Sequence, residues 1–350
     1  VLALAGVSAI LLGGRGAIAA RLERSWRSAP SMLGWLAFAL GLTLLWLLRE
    51  DHFSLLMVST VLLYCVTCLG LNVQFGYAGV VNFAGAAFFG IGGYTAAVLA
   101  AHTAIPHLAI LAAAGLIAGA IGSVLVLPLL RTRGHYAALI TIAFALLFRT
   151  FLEVNELLGG PQGLKVPGLS LLGWEFNDTI EIGEDIELSF YLSYALFSLV
   201  LFVVALVLVR RLERYWLGLS LDAVRIDETA AAVFGFQVAR WKIVAFSLGN
   251  VLAGVAGAAY AMMTGFVAPA AFTIAESLMF VSIVILGGIG NPLGILPAAV
   301  LVVVLPEKLQ FIQEYRYLLF SGFVILILLF KPGGLLPRPP RRYFPTWGRP

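Results

Sequence analysis

The side chains able to do chemistry in this chain are few, and their spacing keeps them apart. Its 350 residues hold four histidines, two cysteines and 18 carboxylates. His52, His102, His107 and His135 are scattered at the edges of apolar runs, so they form no ligand set for a metal. Cys65 and Cys68 are spaced Cys-x-x-Cys, but they lie inside the apolar "LLYCVTCLGL" with no basic neighbour to favour a thiolate; they read as small packing residues. There is no G-x-x-x-x-G-K-[ST] phosphate loop, no H-E-x-x-H and no G-x-S-x-G elbow, hence no motif for ATP hydrolysis, metalloproteolysis or acyl transfer. Two polar features remain. One is a set of uncharged amides in apolar surroundings. The other is a charged stretch, "SLDAVRIDETAAAVFGFQVARWK" at 220–242, in a chain that is only 11% charged.

The elements that must position these residues are spanning helices. The chain is 61% hydrophobic, with a mean hydropathy of +1.00, whereas soluble domains carry about 25% charged residues. Apolar runs approach the ~20 residues that cross a hydrocarbon core. They fall at 1–14, 31–48, 53–71, 76–100, 108–130, 135–152, 189–209, 243–263, 275–289, 292–306 and 316–330. The expected fold is an all-α polytopic membrane protein of 10–11 transmembrane helices, some broken or re-entrant. Segment 1–14 reads as an incomplete first span. The net charge of +4 follows from the Lys/Arg bias of cytoplasmic loops and implies no nucleic acid partner.

Basic residues group at Arg15–Arg27, at Arg131 and Arg133, between Arg210 and Lys242, and from Lys331 onward. Placing all four groups in the cytoplasm leaves four, two and four segments between them. Every interval is even, as alternation across a bilayer requires. The connector 159–188 carries Glu175, Asp178, Glu181, Glu184, Asp185 and Glu187 against Lys165 alone, which agrees with an extracytoplasmic side. The chain thus divides into an N-terminal helix and basic loop (1–30), a transmembrane domain (31–330) and a basic, Pro-rich cytoplasmic tail (331–350). The transmembrane domain includes the acidic loop 159–188 and the cytoplasmic loop 210–242.

Two segments are poor as plain anchors. "LNVQFGYAGVVNFAGAAFFGIGGY" (71–94) mixes Asn72, Gln74 and Asn82 with Gly85 and other glycines, and ends on Tyr94. "ILGGIGNPLGILP" (285–297) interrupts an apolar run with Gly287, Gly288 and Gly290. Broken helices are tolerated at membrane depth only when buried in protein or lining a cavity. Polar uncharged groups are what a path for a zwitterion needs. Asn72, Gln74, Asn82, Gly85, Tyr94, Asn250, Gly287, Gly288 and Gly290 are therefore the candidate translocation-path residues, with tight packing or an ordinary turn as the plainer alternatives. Gly254, Gly257 and Ala258 repeat at helical spacing and predict a helix–helix contact.

In the charged stretch, Asp222 is the expected N-cap of one helix. Ala223, Ile226, Ala230 and Val233 form an apolar stripe, Arg225, Asp227 and Glu228 lie off it, and Gly235 ends it. A mostly alanine stripe beside charges of both signs suits a protein groove better than a lipid headgroup layer.

"AVRIDETAAAVFG", with "ARWK" and "LAGVAGA" after it, resembles the coupling loop of the permease subunits of branched-chain amino acid ABC importers. Four further stretches are similar in the same order: "LNVQFGYAGVVNFAGAAFFGIGGYTAA", "RTRGHYAALITIAFALLFR" with "GGPQGL", "GGIGNPLG" and "LLFKPGGLLP". The "GGPQGL" and "KPGGL" elements resemble the longer of the two permease types. The resemblance implies a bacterial inner-membrane importer subunit in the lipid bilayer, paired with a second permease subunit as a heterodimer. It further implies two cytoplasmic ABC ATPases and an extracytoplasmic solute-binding protein. This chain would need no cofactor, ATP and Mg²⁺ residing on the ATPase. By position, Ala223, Arg225, Asp227, Glu228, Ala230, Ala231 and Gly235 match the loop motif. Ile226 stands where the family usually has a polar residue. Urea or short-amide permeases are the near alternative; an ion-driven secondary transporter or an intramembrane enzyme is the distant one.

Overall fold

The computed structural model describes residues 39, 41–43, 45–132, 135–171, 174–177, 180–181, 187–308, 321–322, 325, 329–331 and 333–338. The expected segment 1–14 and basic loop to 30 lie outside the described residues, as do most of 31–48 and 316–330, much of the acidic run 178–186 and the tail beyond 338. Among the described residues, seven helices are long and apolar enough to span a membrane, with a shorter apolar helix at Pro292–Glu307. The chain is an all-α polytopic membrane protein.

The helices used below are α1 His52–Asn72, α2 Gly85–His102, α3 His107–Leu130, α4 His135–Val154, α5 Tyr191–Arg214, α6 Trp216–Ile226, α7 Glu228–Val233, α8 Val238–Thr264, α9 Ile274–Gly287 and α10 Ile295–Ala299. Their ends follow from local chemistry. Asp51 caps α1 by accepting from the Phe53 and Ser54 amides at 3.1 and 3.2 Å. Thr273 does the same for α9, accepting from the Glu276 amide, so Glu276 sits in the first turn of its helix as a capping-box carboxylate would. α8 stops on Gly265, whose φ of +69° only glycine adopts cheaply. α10 runs through a π-turn, Val300–Val304, into Leu305–Lys308.

α8 is the axis of the bundle, and α1, α2 and α3 close around it because glycines let backbones touch. A Cβ on Gly70 would lie 2.3 Å from the Gly249 carbonyl oxygen, and one on Gly92 1.9 Å from that of Gly254. A Cβ on Gly257 would lie 1.8 Å from the Phe89 carbonyl oxygen. On the third side, Val251 and Val255 of α8 fill the hollows at Gly115 and Gly119 of α3. With no hydrophobic drive between helices in lipid, such close packing is what holds them together. The Gly254/Gly257/Ala258 face is this contact surface.

The connectors sort into two ends. At one end Ser189 bonds His52 (2.6 Å), Ser170 bonds His107 (2.8 Å), and a two-residue strand Leu164–Lys165 pairs with Phe266–Val267. At the other end residues 73–84, 216–237, 288–294 and 333–338 meet, as detailed below. Among the described residues, Arg131 at the end of α3 and the loop 216–237 fall at this second end; the basic group at 15–27 lies outside the described residues. One element differs: the run 76–100 is not one helix. α1 ends in a π-turn at Val73–Tyr77, residues 78–84 are non-helical, and α2 starts only at Gly85.

Candidate functional site

Among the described residues, buried amide side chains gather at the break between α1 and α2. Gly76 sits against Gly290, where a Cβ would lie 2.6 Å from Gly290 backbone atoms. The Gly290 amide donates to Asn72 Oδ1 at 2.7 Å. Residues 78–84 turn back through Gly79, at φ +67°, and the Val80 amide donates to the Gln74 carbonyl at 2.9 Å. π-turns inside helices occur often at functional sites.

The turned-back segment delivers Asn82 to two other amides. Gln74 Nε2 donates to Asn250 Oδ1 at 2.9 Å and to the Phe246 carbonyl at 2.8 Å. Asn82 Nδ2 donates to Gln74 Oε1 at 2.8 Å and to Asn250 Oδ1 at 3.2 Å. Asn82 Oδ1 in turn accepts from the Ala84 amide at 2.9 Å, fixing the turn just before α2. Two more hydroxyls satisfy the first backbone donors of the buried helix start. Thr141 Oγ1 accepts from Phe83 N at 3.1 Å, and Ser277 Oγ from Ala86 N at 3.1 Å. All three amide side chains are fully buried. Asn250 is eight residues past Lys242, about 12 Å along the helix at 1.5 Å per residue, so the cluster lies within the hydrocarbon depth. It is uncharged, which avoids the cost of burying an ion there. Asn250 Nδ2 has no hydrogen-bond partner and packs against Gly122 of α3, where a Cβ would lie 2.3 Å from it.

The charged stretch is two helices at the same end of the bundle, not one. α6 runs to Ile226, and Asp227 then adopts an extended backbone (φ −155°, ψ 108°) and caps α7. Its Oδ1 accepts from the Thr229 and Ala230 amides at 2.8 and 3.0 Å. This corrects the expectation that Asp222 is the N-cap. Asp222 lies inside α6, nearly buried, because it is ion-paired. Gly235 ends α7 with φ +85°. Lys242 Nζ bonds Glu228 Oε1 at 2.5 Å, and Trp216 meets Trp241 edge-on at 5.1 Å, which ties the loop to the start of α8. Loss of one cap costs about 1 kcal/mol. Asp227→Ala is therefore expected to fray α7 alone, seen as faster amide exchange at 229–234 with an unchanged melting temperature of the bundle.

The expected stripe is only partly solvent-facing. Ile226 and Val233 are 83% and 81% exposed, as is Phe234 at 82%. Ala230 is exposed, Ala223 is half-buried and Ala231 is buried. Arg225, off the stripe and exposed, donates through Nη1 to the Gly76 carbonyl at 2.5 Å. It reaches from the loop into the helix break.

The same carbonyl takes a second guanidinium. Arg338 Nη1 donates to Gly76 O at 3.2 Å, while its Nη2 holds both oxygens of Asp222 at 2.7 and 3.0 Å. Its guanidinium carbon stands 5.0 Å from the Tyr77 ring centroid, within cation–π range. The pair is largely desolvated, with side-chain exposures of 17% and 6%. Arg338 opens "RPPRRYFPTWGRP", of which the residues beyond it lie outside the described residues. The residues leading to it are bonded to α9 and the following turn. The Leu335 and Leu336 amides donate to the Leu286 and Gly287 carbonyls at 2.7 and 3.2 Å, and Asn291 Nδ2 to the Leu336 carbonyl at 3.1 Å.

Of the candidate path residues, Gln74, Asn82 and Asn250 form one network, and Asn72 and Gly290 a second contact beside it. Gly287 and Gly288 pack against Gly294 and Leu336 in the turn after α9. Gly85 packs on Leu71 and Phe280. Tyr94 stands apart on α2, beside Phe272. Sequence reasoning missed Thr141, Ser277, Phe234 and Arg338. The first two look like any hydroxyl in an apolar helix. Phe234, one residue before Gly235, was legible as an exposed cap-adjacent aromatic.

Glycine-packed spanning helices, a broken helix at polar depth and a helical loop tied to that break define a multi-pass transport subunit. The chain belongs to the family described as branched-chain amino acid transport system / permease component, whose model matches residues 53–329. It is 35% identical over 305 residues to the high-affinity branched-chain amino acid transport system permease protein LivM of Salmonella typhimurium, covering 83% of this chain and 72% of that protein. To LivM of Escherichia coli it is 36% identical over 311 residues, covering 85% and 73%. To LivH of Escherichia coli, the permease protein of another type, it is 25% identical over 293 residues, covering 79% and 92%. The similarity is thus greater to the LivM type. No solved structure matches at comparable stringency.

Proposed function

We propose that this protein is the LivM-type permease subunit of a binding-protein-dependent ABC importer in a bacterial inner membrane, and that it carries leucine, isoleucine and valine. It pairs with a LivH-type permease. The end of the bundle bearing α6, α7 and the 333–338 segment faces the cytoplasm, and ATP is hydrolysed by separate ATPase subunits that dock there. The observation that carries this reading is the loop itself. Ile226, Val233 and Phe234 present an apolar patch to solvent, while Arg225 of the same loop grips the helix break at Gly76. A partner pressing on the patch moves the break. The Gln74–Asn82–Asn250 cluster is the polar constriction of the path, closed here because the amides bond one another. Opening exchanges those bonds for bonds to the passing solute.

An affinity pull-down from native membranes tests the docking face. Wild type is expected to bring down an ATPase subunit. Ile226→Asp with Phe234→Asp should reduce recovery at least tenfold, because two apolar anchors become charges in a desolvated contact. Equal recovery with both substitutions would refute this docking face.

A further inference from the structure

Arg338 joins three segments that are far apart in the chain. It lies 116 residues from Asp222 and 262 from Gly76, yet it contacts both, and the Tyr77 ring as well. Asp222 belongs to α6. Gly76 and Tyr77 belong to the π-turn that ends α1. The segment carrying Arg338 is itself held to the end of α9 by the Leu335 and Leu336 amides. Gly290, between α9 and α10, closes the ring: it packs on Gly76, and a Cβ there would lie 2.5 Å from Arg338 Cδ. One guanidinium therefore fixes the spacing between the loop, the helix break and the end of α9. Arg225 also reaches from the loop to Gly76. Arg338 braces that contact, since its planar fork binds the carboxylate through one nitrogen and the carbonyl through another.

We propose that Arg338 is a positioning residue that clamps α6 to the π-turn. Through it, movement of the loop reaches Gln74, and so the amide cluster, rather than dissipating in the loop. Residue 74 lies inside the clamped π-turn and residue 222 inside the helix leading to the docking patch, so the clamp spans the shortest route between patch and constriction. Its role in transport rests on the importer reading above; its role in holding the turn does not.

Two measurements on the full chain test the clamp. In the detergent-purified protein, Arg338→Gln is expected to speed hydrogen exchange at the 73–80 amides at least tenfold and to leave α8 unchanged. In proteoliposomes with its co-purified ATPase and binding protein, Arg338→Gln should keep ATPase recovery within twofold of wild type. ATP hydrolysis should continue while leucine uptake falls at least tenfold. Arg338→Lys should retain an intermediate uptake, because it keeps the charge and loses the fork. The Asp222→Asn, Arg338→Gln double variant should be no worse than Arg338→Gln alone, as for two groups acting as one unit. A residue that merely stabilised the fold would lower hydrolysis, recovery and uptake together. Unchanged exchange at 73–80, or full uptake per ATP in Arg338→Gln, overturns the proposal. Faster exchange at 73–80 in Arg338→Gln, with no ATPase recovered even by the wild-type chain, would instead sink the importer reading and leave the clamp standing.

Discussion

Gly257→Val is expected to remove the folded protein from the membrane almost completely, with at least a tenfold drop in monodisperse material after detergent extraction. A Cβ at this position would lie 1.8 Å from the Phe89 carbonyl oxygen and 2.6 Å from its carbon. Both are backbone atoms of α2, so no rotamer change can relieve the clash. Overpacking a well-packed core costs about 1–3 kcal/mol when side chains can shift, and here the helices themselves must part. Separating α2 from α8 also pulls apart Gly92 and Gly254 one turn away, so the damage propagates along the contact. Gly265→Ala provides the contrast. It strains a left-handed cap at φ +69° but has no backbone atom closer than 3.9 Å, and its cost should stay at about 1–2 kcal/mol. Fluorescence-detected size exclusion of the two variants after matched expression reads the difference.

The second large effect concerns the amides, and here the order of effects matters more than their size. Asn82→Leu should lower the melting temperature far more than Asn250→Leu. Removing the Asn82 side chain orphans two groups, the Ala84 amide that donates to it and Gln74 Oε1, for which it is the hydrogen-bond donor. Each buried orphan costs about 1–3 kcal/mol. Removing Asn250 leaves Gln74 Nε2 bonded to the Phe246 carbonyl and Asn82 Nδ2 bonded to Gln74 Oε1. It also removes the one amide nitrogen of the cluster that has no hydrogen-bond partner. Asn250→Leu is therefore expected to fold with a loss of no more than about 1–2 kcal/mol. Its uptake should fall sharply all the same, because the constriction loses an acceptor shared by both neighbours. A thermal melt followed by an uptake assay separates the two variants. Equal melting losses would mean that the bond from the Ala84 amide to Asn82 contributes little.

How much of this was legible in the sequence depends on the range of each interaction. The α8 contact face was readable because Gly254, Gly257 and Ala258 repeat on one helix at helical spacing. The polar residues at 72, 74 and 82 stood out because amides are conspicuous in apolar runs. Their convergence with Asn250 was not readable: residues 74 and 250 are 176 apart, and nothing local to either names the other. The boundary of α2 was misread for a related reason. Residues 76–84 are apolar enough to continue a helix, and only Gly76 against Gly290 and Asn82 against Gln74 show that the chain turns back. The loop carries two aspartates, Asp222 and Asp227, each suited by type to cap a helix. Local chemistry cannot choose between them. Arg338 does, by drawing Asp222 into a buried pair and leaving Asp227 free to cap α7.

Energised uptake tests the central claim most directly. The chain, its partner permease, the ATPase subunits and the binding protein would be reconstituted in proteoliposomes and supplied with radiolabelled leucine, with urea as the control solute. The account predicts leucine accumulation that requires internal or external ATP on the ATPase side and loaded binding protein, that is insensitive to collapse of ion gradients, and that is absent for urea. Leucine uptake driven by an ion gradient without ATP, or ATP-driven uptake of urea in place of leucine, would contradict it.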